Sequence, residues 1–352
     1  MAGRPAGWPV ASPVVVSAAA PVALPADPPV TALETEPATR PVSRLKASLA
    51  TTIDTFEPRG LPLALIRSLL ALASLVTLVF SSDSTLFFGD PRVPDGMRCG
   101  GPERFSLWCV NGPSSHGLLI SRVLAISVLL AVLSGFRPRW TCVPHWYVSA
   151  SMAWSLTQPN GGDNAAMMAA LLLIPALIRD DRRWHWTRPR TALPAAWRGS
   201  AYAAWLALRC QIALIYLQAA LWKAAVPEWR HGDAMATVFY DPVYGFPRFV
   251  RNHFGGVLSN GVVVHSATWG TLVAELTIAG CVLAGRRARR VGVALAVPLH
   301  CAIGLGMGLI SFGTVMVAVN LAGLLAGRTV AESGAAPIES SSCYSSDIPV
   351  GV

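Results

Sequence analysis

Arg209, Tyr216 and Lys223 recur every seven positions in an otherwise apolar stretch, Leu206 to Gly232. Seven residues is close to two helical turns, so on a helix the three share one face over roughly 21 Å. Ionisable groups inside membrane-length apolar runs are costly, and they turn toward the protein interior or a wet cavity. A partly desolvated lysine can serve as a base or nucleophile. Lys223 is therefore a candidate catalytic residue, with Arg209 and Tyr216 as buried polar companions. Glu275, deep in a later apolar run, is the natural partner for Arg209 or for another buried donor. Asp163, after Gly161-Gly162 and before Asn164, is the second catalytic candidate. His231 and Asp233 lie just beyond Lys223 and add acid–base groups, or are ordinary loop residues.

The elements that must position these groups are membrane helices. Only 13% of the 352 residues are charged and mean hydropathy is +0.48, whereas about 25% charged is usual for a soluble domain. Separate apolar runs of bilayer length predict an all-α, polytopic transmembrane bundle of about eight spans. No ten-residue alternation of a β-barrel is present. The expected spans are 61–80, 117–135, 145–156, 164–178, a fifth centred on Leu206 onward, 268–284, 291–309 and 313–326. The transmembrane domain then covers 58–327. A Pro/Ala-rich tail (1–57) and a Ser-rich tail (328–352) read as disordered and cytoplasmic. The first tail lacks the pattern of a signal peptide. Arg67, near one end of the first span, is expected to snorkel to the interface.

The net charge of +9 is a topology signal, not a nucleic-acid footprint, because Lys and Arg cluster beside the spans. With both termini inside, 16 basic residues lie on the cytoplasmic side and 6 outside. The predicted location is a cell membrane, multi-pass. This topology puts Cys99 and Cys109 outside, where a disulfide persists. Cys142, Cys210, Cys281 and Cys301 read as small hydrophobes. No paired metal-ligand spacing occurs. Gly304, Gly306 and Gly308 sit in an apolar helix and suit close packing, not nucleotide binding. The topology also levels Asp163 with Lys223 at the outer mouth of the bundle, where an Asp–Lys pair would form. Each has a plainer alternative, Asp163 as a helix N-cap and Lys223 as an interface anchor.

Taken together, Arg67-Ser-Leu-Leu, the Cys99 and Ser106-Leu-Trp-Cys109 loop, Gly161-Gly-Asp163, the Leu172-Leu-Ile-Pro175 run with Arg182-Arg-Trp-His-Trp186, Tyr216, Trp222-Lys223 and Trp229 resemble the sporulation-delaying protein SdpB family. The resemblance covers about residues 60–327. It places the chain with the HTTM membrane domains, which resemble the vitamin K-dependent γ-glutamyl carboxylases. It implies maturation of an exported antimicrobial toxin peptide, beside a small SdpA-like partner protein and a secreted peptide precursor. By motif position it matches Lys223 to the carboxylase lysine that deprotonates vitamin K hydroquinone, and it puts Asp163 near a polar catalytic residue. A quinone-type cofactor follows from the same resemblance. The chain ends after the bundle, without the large extracytoplasmic domain of the carboxylases, so carboxylation itself is not expected. A non-enzymatic membrane scaffold or immunity-type binding protein is the alternative, its charges then only fixing helix packing. A transporter is disfavoured by the lack of an inverted repeat.

Overall fold

A computed structural model describes residues 40–88, 96–242 and 244–324. The chain divides at Lys46/Ala47 into two compact units. Of the first, the described residues are only the opening of a helix, Arg40–Asp54. The second is all-α, with one isolated backbone bridge, Phe136 to Trp184, among its described residues. Its bundle helices are α1 (Leu61–Phe80), α2 (Ser115–Ser134), α3 (Pro138–Ser155), α4 (Gly161–Leu177), α5 (Ala195–Ala225), α6 (Gly261–Leu283), α7 (Arg286–Gly306) and α8 (Ile310–Gly323). Five of them, α1, α2, α5, α6 and α7, are long and apolar enough to cross a membrane. α4 and α8 are apolar but shorter, at 17 and 14 residues.

Local sequence sets the helix limits. Ser114 and Asn260 cap α2 and α6 with side-chain oxygens on backbone N–H groups. Gly135 ends α2 in the left-handed conformation, φ +87°. Pro138 occupies the first turn of α3, where its missing N–H costs nothing. The third span consequently starts near Pro138 and not at His145, and it contains Pro144. α5 runs 31 residues, about 46 Å, longer than the roughly 30 Å apolar layer of a bilayer. The arginines 286, 287, 289 and 290 lie within the first turns of α7, not in a preceding loop. The segment expected as a long loop after Pro227 holds three further helices, Pro227–His231, Ala234–Tyr240 and Arg248–Leu258.

Within the segment expected as a tail, 1–57, the described residues include a helix and buried side chains. Arg40–Asp54 is helical, and Phe56 and Glu57 are buried. Residues 1–39, and the expected tail from 328, lie outside the described residues.

Lipid chains are as apolar as leucine, so helices in a membrane associate through close contact of small residues. Ala165, Ala166, Ala169, Ala170 and Ala176 line the buried face of α4 for this reason. Gly313 shows the limit. A Cβ there would stand 2.6 Å from the His300 carbonyl oxygen and 3.0 Å from Gly304 Cα, so α7 and α8 touch backbone to backbone. A second cluster around Trp108, Phe87 and Leu129 packs residues 86–88 and 97–109 against α1, α2 and α3.

Two ends of the bundle differ in chemistry. One gathers the turns around 135–137, 178–194 and 284–286, which are rich in arginine. The other gathers 81–88, 96–114, 156–160, 226–242, 244–260 and 307–309. There Cys99 is disulfide-bonded to Cys109, as expected. Tyr147 donates to the Phe105 carbonyl at 2.9 Å, and Thr157 N–H to that of Leu86 at 2.8 Å, fastening this segment to α3.

At the basic end, Arg67 departs from expectation. Its side chain is fully buried and does not snorkel. It donates to Thr141 Oγ1 at 2.7 Å and pairs with His185 Nδ1 at 3.1 Å. Because arginine only donates, Nδ1 is the acceptor and the His185 proton sits on Nε2, facing Ser68 Oγ at 3.4 Å. The ring lies against Gly135, where any Cβ would come within 2.3 Å of Cδ2. This network joins α1 and α3 to the 178–194 turn.

Burial first, then the Arg67 and Arg182 charges, lower the His185 pKa from 6.5 to about 3. A folded-state value below the unfolded one means the unfolded chain binds the proton more readily between these pH values. The contribution is therefore intact above pH 6.5 and lost as pH falls from about 6.5 toward 3. Thermal unfolding of the detergent-solubilised chain should show a Tm that declines with acidity across this window. His185→Asn should flatten that dependence, and an unchanged slope would contradict the network.

Candidate functional site

The long face of α5 divides into three environments. Arg209, at the basic end, donates to the carbonyls of Val282 (2.9 Å), Leu283 (2.7 Å) and Ala284 (3.1 Å). These are the unpaired carbonyls at the C-terminus of α6, which a cation suits both by hydrogen bonding and by the helix dipole. Its guanidinium also lies 4.7 Å from the Trp205 ring, with that of Arg289 5.5 Å from the same ring. Of the two partners offered for Glu275, Arg209 or another buried donor, Arg209 is not the one, because backbone carbonyls satisfy it some 14 residues from Lys223.

Two turns along, Tyr216 is buried in a polar knot with α7 and α8. Asn320 Nδ2 donates to the Tyr216 oxygen at 2.7 Å, and that hydroxyl lies 2.7 Å from His300 Nε2. With its oxygen already accepting, the hydroxyl donates to Nε2, which places the His300 proton on Nδ1. Pro298 lies inside α7 two residues before His300. His300 Nδ1 and Asn320 Oδ1 are buried without partners.

Lys223 occupies the last turn of α5, and its partner is Glu275 of α6. Nζ and Oε1 are 2.5 Å apart, with the carboxylate side chain 9% exposed and the lysine 27%. The second carboxylate oxygen, Oε2, is buried and has no hydrogen-bond partner. Pro227 starts a short helix that places the Trp229 ring 5.5 Å from Nζ, a cation–π contact. Both charged groups line a cavity of about 490 Å³ whose other walls are mainly apolar, including Met235, Phe239, Phe246, Leu299 and Ile303. Phe239 and Phe246 stack with centroids 5.1 Å apart.

Asp163 is elsewhere. Its Oδ2 accepts from the Asn160 N–H at 2.9 Å, while Asn160 Oδ1 accepts from Gly162 (2.7 Å) and Asp163 (3.2 Å). That is a reciprocal capping box at the start of α4, and Asp163 and Lys223 form no ion pair. Glu275 takes the position expected for Asp163. His231 is exposed, and Asp233 lies 3.7 Å from His265 on the surface. Among the described residues no cluster suits a metal ion.

The chain is similar to two proteins of Bacillus subtilis (strain 168). Sporulation-delaying protein SdpB is 31% identical over 272 residues, 77% of this chain and 83% of that protein. The chain belongs to the SdpB family. The uncharacterized protein YitO is 31% identical over 256 residues, 72% and 82% of the two chains. No family model matches, and no solved structure matches. The relationship and the five apolar helices make this SdpB relative a membrane protein.

The Lys223–Glu275 pairing gives a specific energetic expectation. Removing one member of a buried pair leaves an uncompensated charge, whereas replacing both with apolar groups is often neutral. Lys223→Met alone should destabilise the chain by about 2 kcal/mol, less than the roughly 3–5 kcal/mol of a fully buried pair because Lys223 is partly exposed. Adding Glu275→Leu should recover most of the loss. A double-mutant cycle in detergent reads this directly, and additive effects would reject the pair.

Proposed function

We propose that this chain acts in the production of an exported antimicrobial toxin peptide, and that the Lys223–Glu275 cavity is where an apolar part of that peptide is handled. The observation that carries the reading is an ion pair set in apolar walls, with one carboxylate oxygen left unpartnered. Such an oxygen is a costly feature in a dry site. A ligand amide or hydroxyl donating to Oε2 removes that cost, while Trp229, Phe239 and Phe246 bury its apolar body. The contact also gives the cavity an amine hydrogen-bonded to a carboxylate, the elements of general acid–base chemistry.

The membership in the SdpB family supports the pathway. The arginine asymmetry supports an orientation with the basic end and both termini in the cytoplasm, which faces the cavity outward, toward an exported substrate. A small SdpA-like protein is the proposed partner. A quinone-type cofactor, expected for an HTTM-like domain, fits the same cavity by chemistry: apolar walls for a ring and Lys223 with Glu275 Oε2 for its oxygens. When bound, such a ring supplies redox chemistry. Lys223 would hold its oxygen and Glu275 the proton.

The test is co-expression with the neighbouring genes, following secreted peptides by mass spectrometry. The variant is Lys223→Met with Glu275→Leu, which removes both charges together. At normal membrane abundance it should abolish the mature peptide that the wild type produces. An unchanged peptide profile would reject the site and favour the scaffold or immunity role.

A further inference from the structure

At the basic end of the bundle a second cavity, of about 550 Å³, is lined by Arg59, Arg179, Arg182, Arg183, Arg188 and Arg190 together with Asp180 and Asp181. Its frame is built from two ion pairs whose carboxylate side chains are fully buried. Glu57 binds Arg59 at 2.8 Å and accepts the Leu193 N–H at 2.7 Å, and Arg59 reaches the Thr191 carbonyl at 2.7 Å. Asp180 binds Arg182 at 2.6 Å, and Arg182 reaches the carbonyl of His185 at 2.9 Å and that of Thr187. These bonds hold the 179–193 turn as a fixed rim. Asp181 is engaged by Arg139 at 2.9 Å.

That leaves Arg179, Arg183, Arg188 and Arg190 without a carboxylate partner among the described residues. Arg179 and Arg183 rest beside the Trp197 and Trp184 rings, at 5.5 and 5.9 Å. Four guanidinium groups without a carboxylate partner around one concavity suit an anion with several oxygens. A single carboxylate occupies one guanidinium fork, whereas a phosphate presents oxygens to several at once. The cavity lies where apolar α1, α4 and α5 give way to polar turns, with exposed Trp184 and Trp186 as the tryptophans of a membrane interface. Anionic lipid phosphates sit at this level.

We propose that this cavity is a binding site for a phosphate group, carried by an anionic lipid headgroup or present as free phosphate. It is separate from the Lys223–Glu275 cavity and does not depend on the role proposed there. Arg188 and Arg190 are exposed, and among the described residues their side chains make no hydrogen bond to the frame, so changing them leaves it intact.

The full chain, purified in detergent, would be examined by native mass spectrometry with phosphatidylglycerol and with phosphatidylcholine as control. Thermal unfolding would be followed with and without inorganic phosphate. Wild type is compared with Arg188→Gln/Arg190→Gln. The proposal expects phosphate-group binding at least about tenfold weaker in the variant, the loss that follows from removing charge-assisted hydrogen bonds. Preferential retention of phosphatidylglycerol, lost in the variant, identifies a lipid site. Stabilisation by inorganic phosphate, lost in the variant and without lipid preference, identifies a free-anion site. Equal phosphatidylglycerol retention by both proteins, with no response of either to phosphate, overturns the proposal.

Discussion

A charge inside an apolar helix bundle has to be met by the protein, because lipid offers it no hydrogen bond. The buried and half-buried cations of this chain obey that constraint in two different ways. Arg67 and Arg209 are absorbed into structure, the first by His185 and Thr141, the second by three carbonyls at the end of α6. Arg122 does the same within α2, binding Asp83 at 2.6 Å and the Ser81 carbonyl at 2.9 Å. Lys223 is different. Its partner is a carboxylate that keeps an oxygen in reserve, and the pair opens into a cavity. The first three fasten turns to helices, whereas the fourth leaves a group able to meet a ligand.

The two ends of the bundle accordingly differ in how their charges are met. At the disulfide-bearing end, the first two short helices after α5 and Phe246 beyond them bring aromatic side chains to the Lys223–Glu275 cavity. At the basic end, buried ion pairs stiffen the turn between α4 and α5 and leave several arginines unneutralised. Between them, the Tyr216–His300–Asn320 knot ties α5, α7 and α8 together at mid-depth. The distribution follows from one long helix, α5, that carries a polar residue into each level.

Much of this was legible in the residues. Apolar run length and arginine clustering predicted the helices, and α1 matches its expected limits, Leu61–Phe80. The seven-residue spacing placed Arg209, Tyr216 and Lys223 on one face, and all three do point into the protein. The Cys99–Cys109 bond followed from placing both on one side. Partner choice was less legible. Asp163 looked level with Lys223 because helix ends were taken as level, and its Asn160 capping box depends on a local geometry that a three-residue spacing only suggests. Depth alone offered Glu275 to Arg209 or to another buried donor, and the donor is Lys223. In fact Lys223 is two residues from the end of α5, while Glu275 is 14 from the start of α6, so α6 projects about 18 Å beyond its neighbour. The intervening 35 residues, read as loop, support that projection with helices. Arg67 misled for a similar reason: its partner His185 is 118 positions away, and no local pattern announces it.

The central claim is that the exported precursor enters the Lys223–Glu275 cavity. A photo-crosslinking amino acid at Met235, on the cavity wall but outside the ion pair, tests it in cells that make the precursor. The account predicts a covalent adduct between this chain and the precursor, with no adduct from the same probe placed at the outward-facing Leu214. An adduct of equal yield from both positions, or lipid adducts alone at Met235, would contradict it.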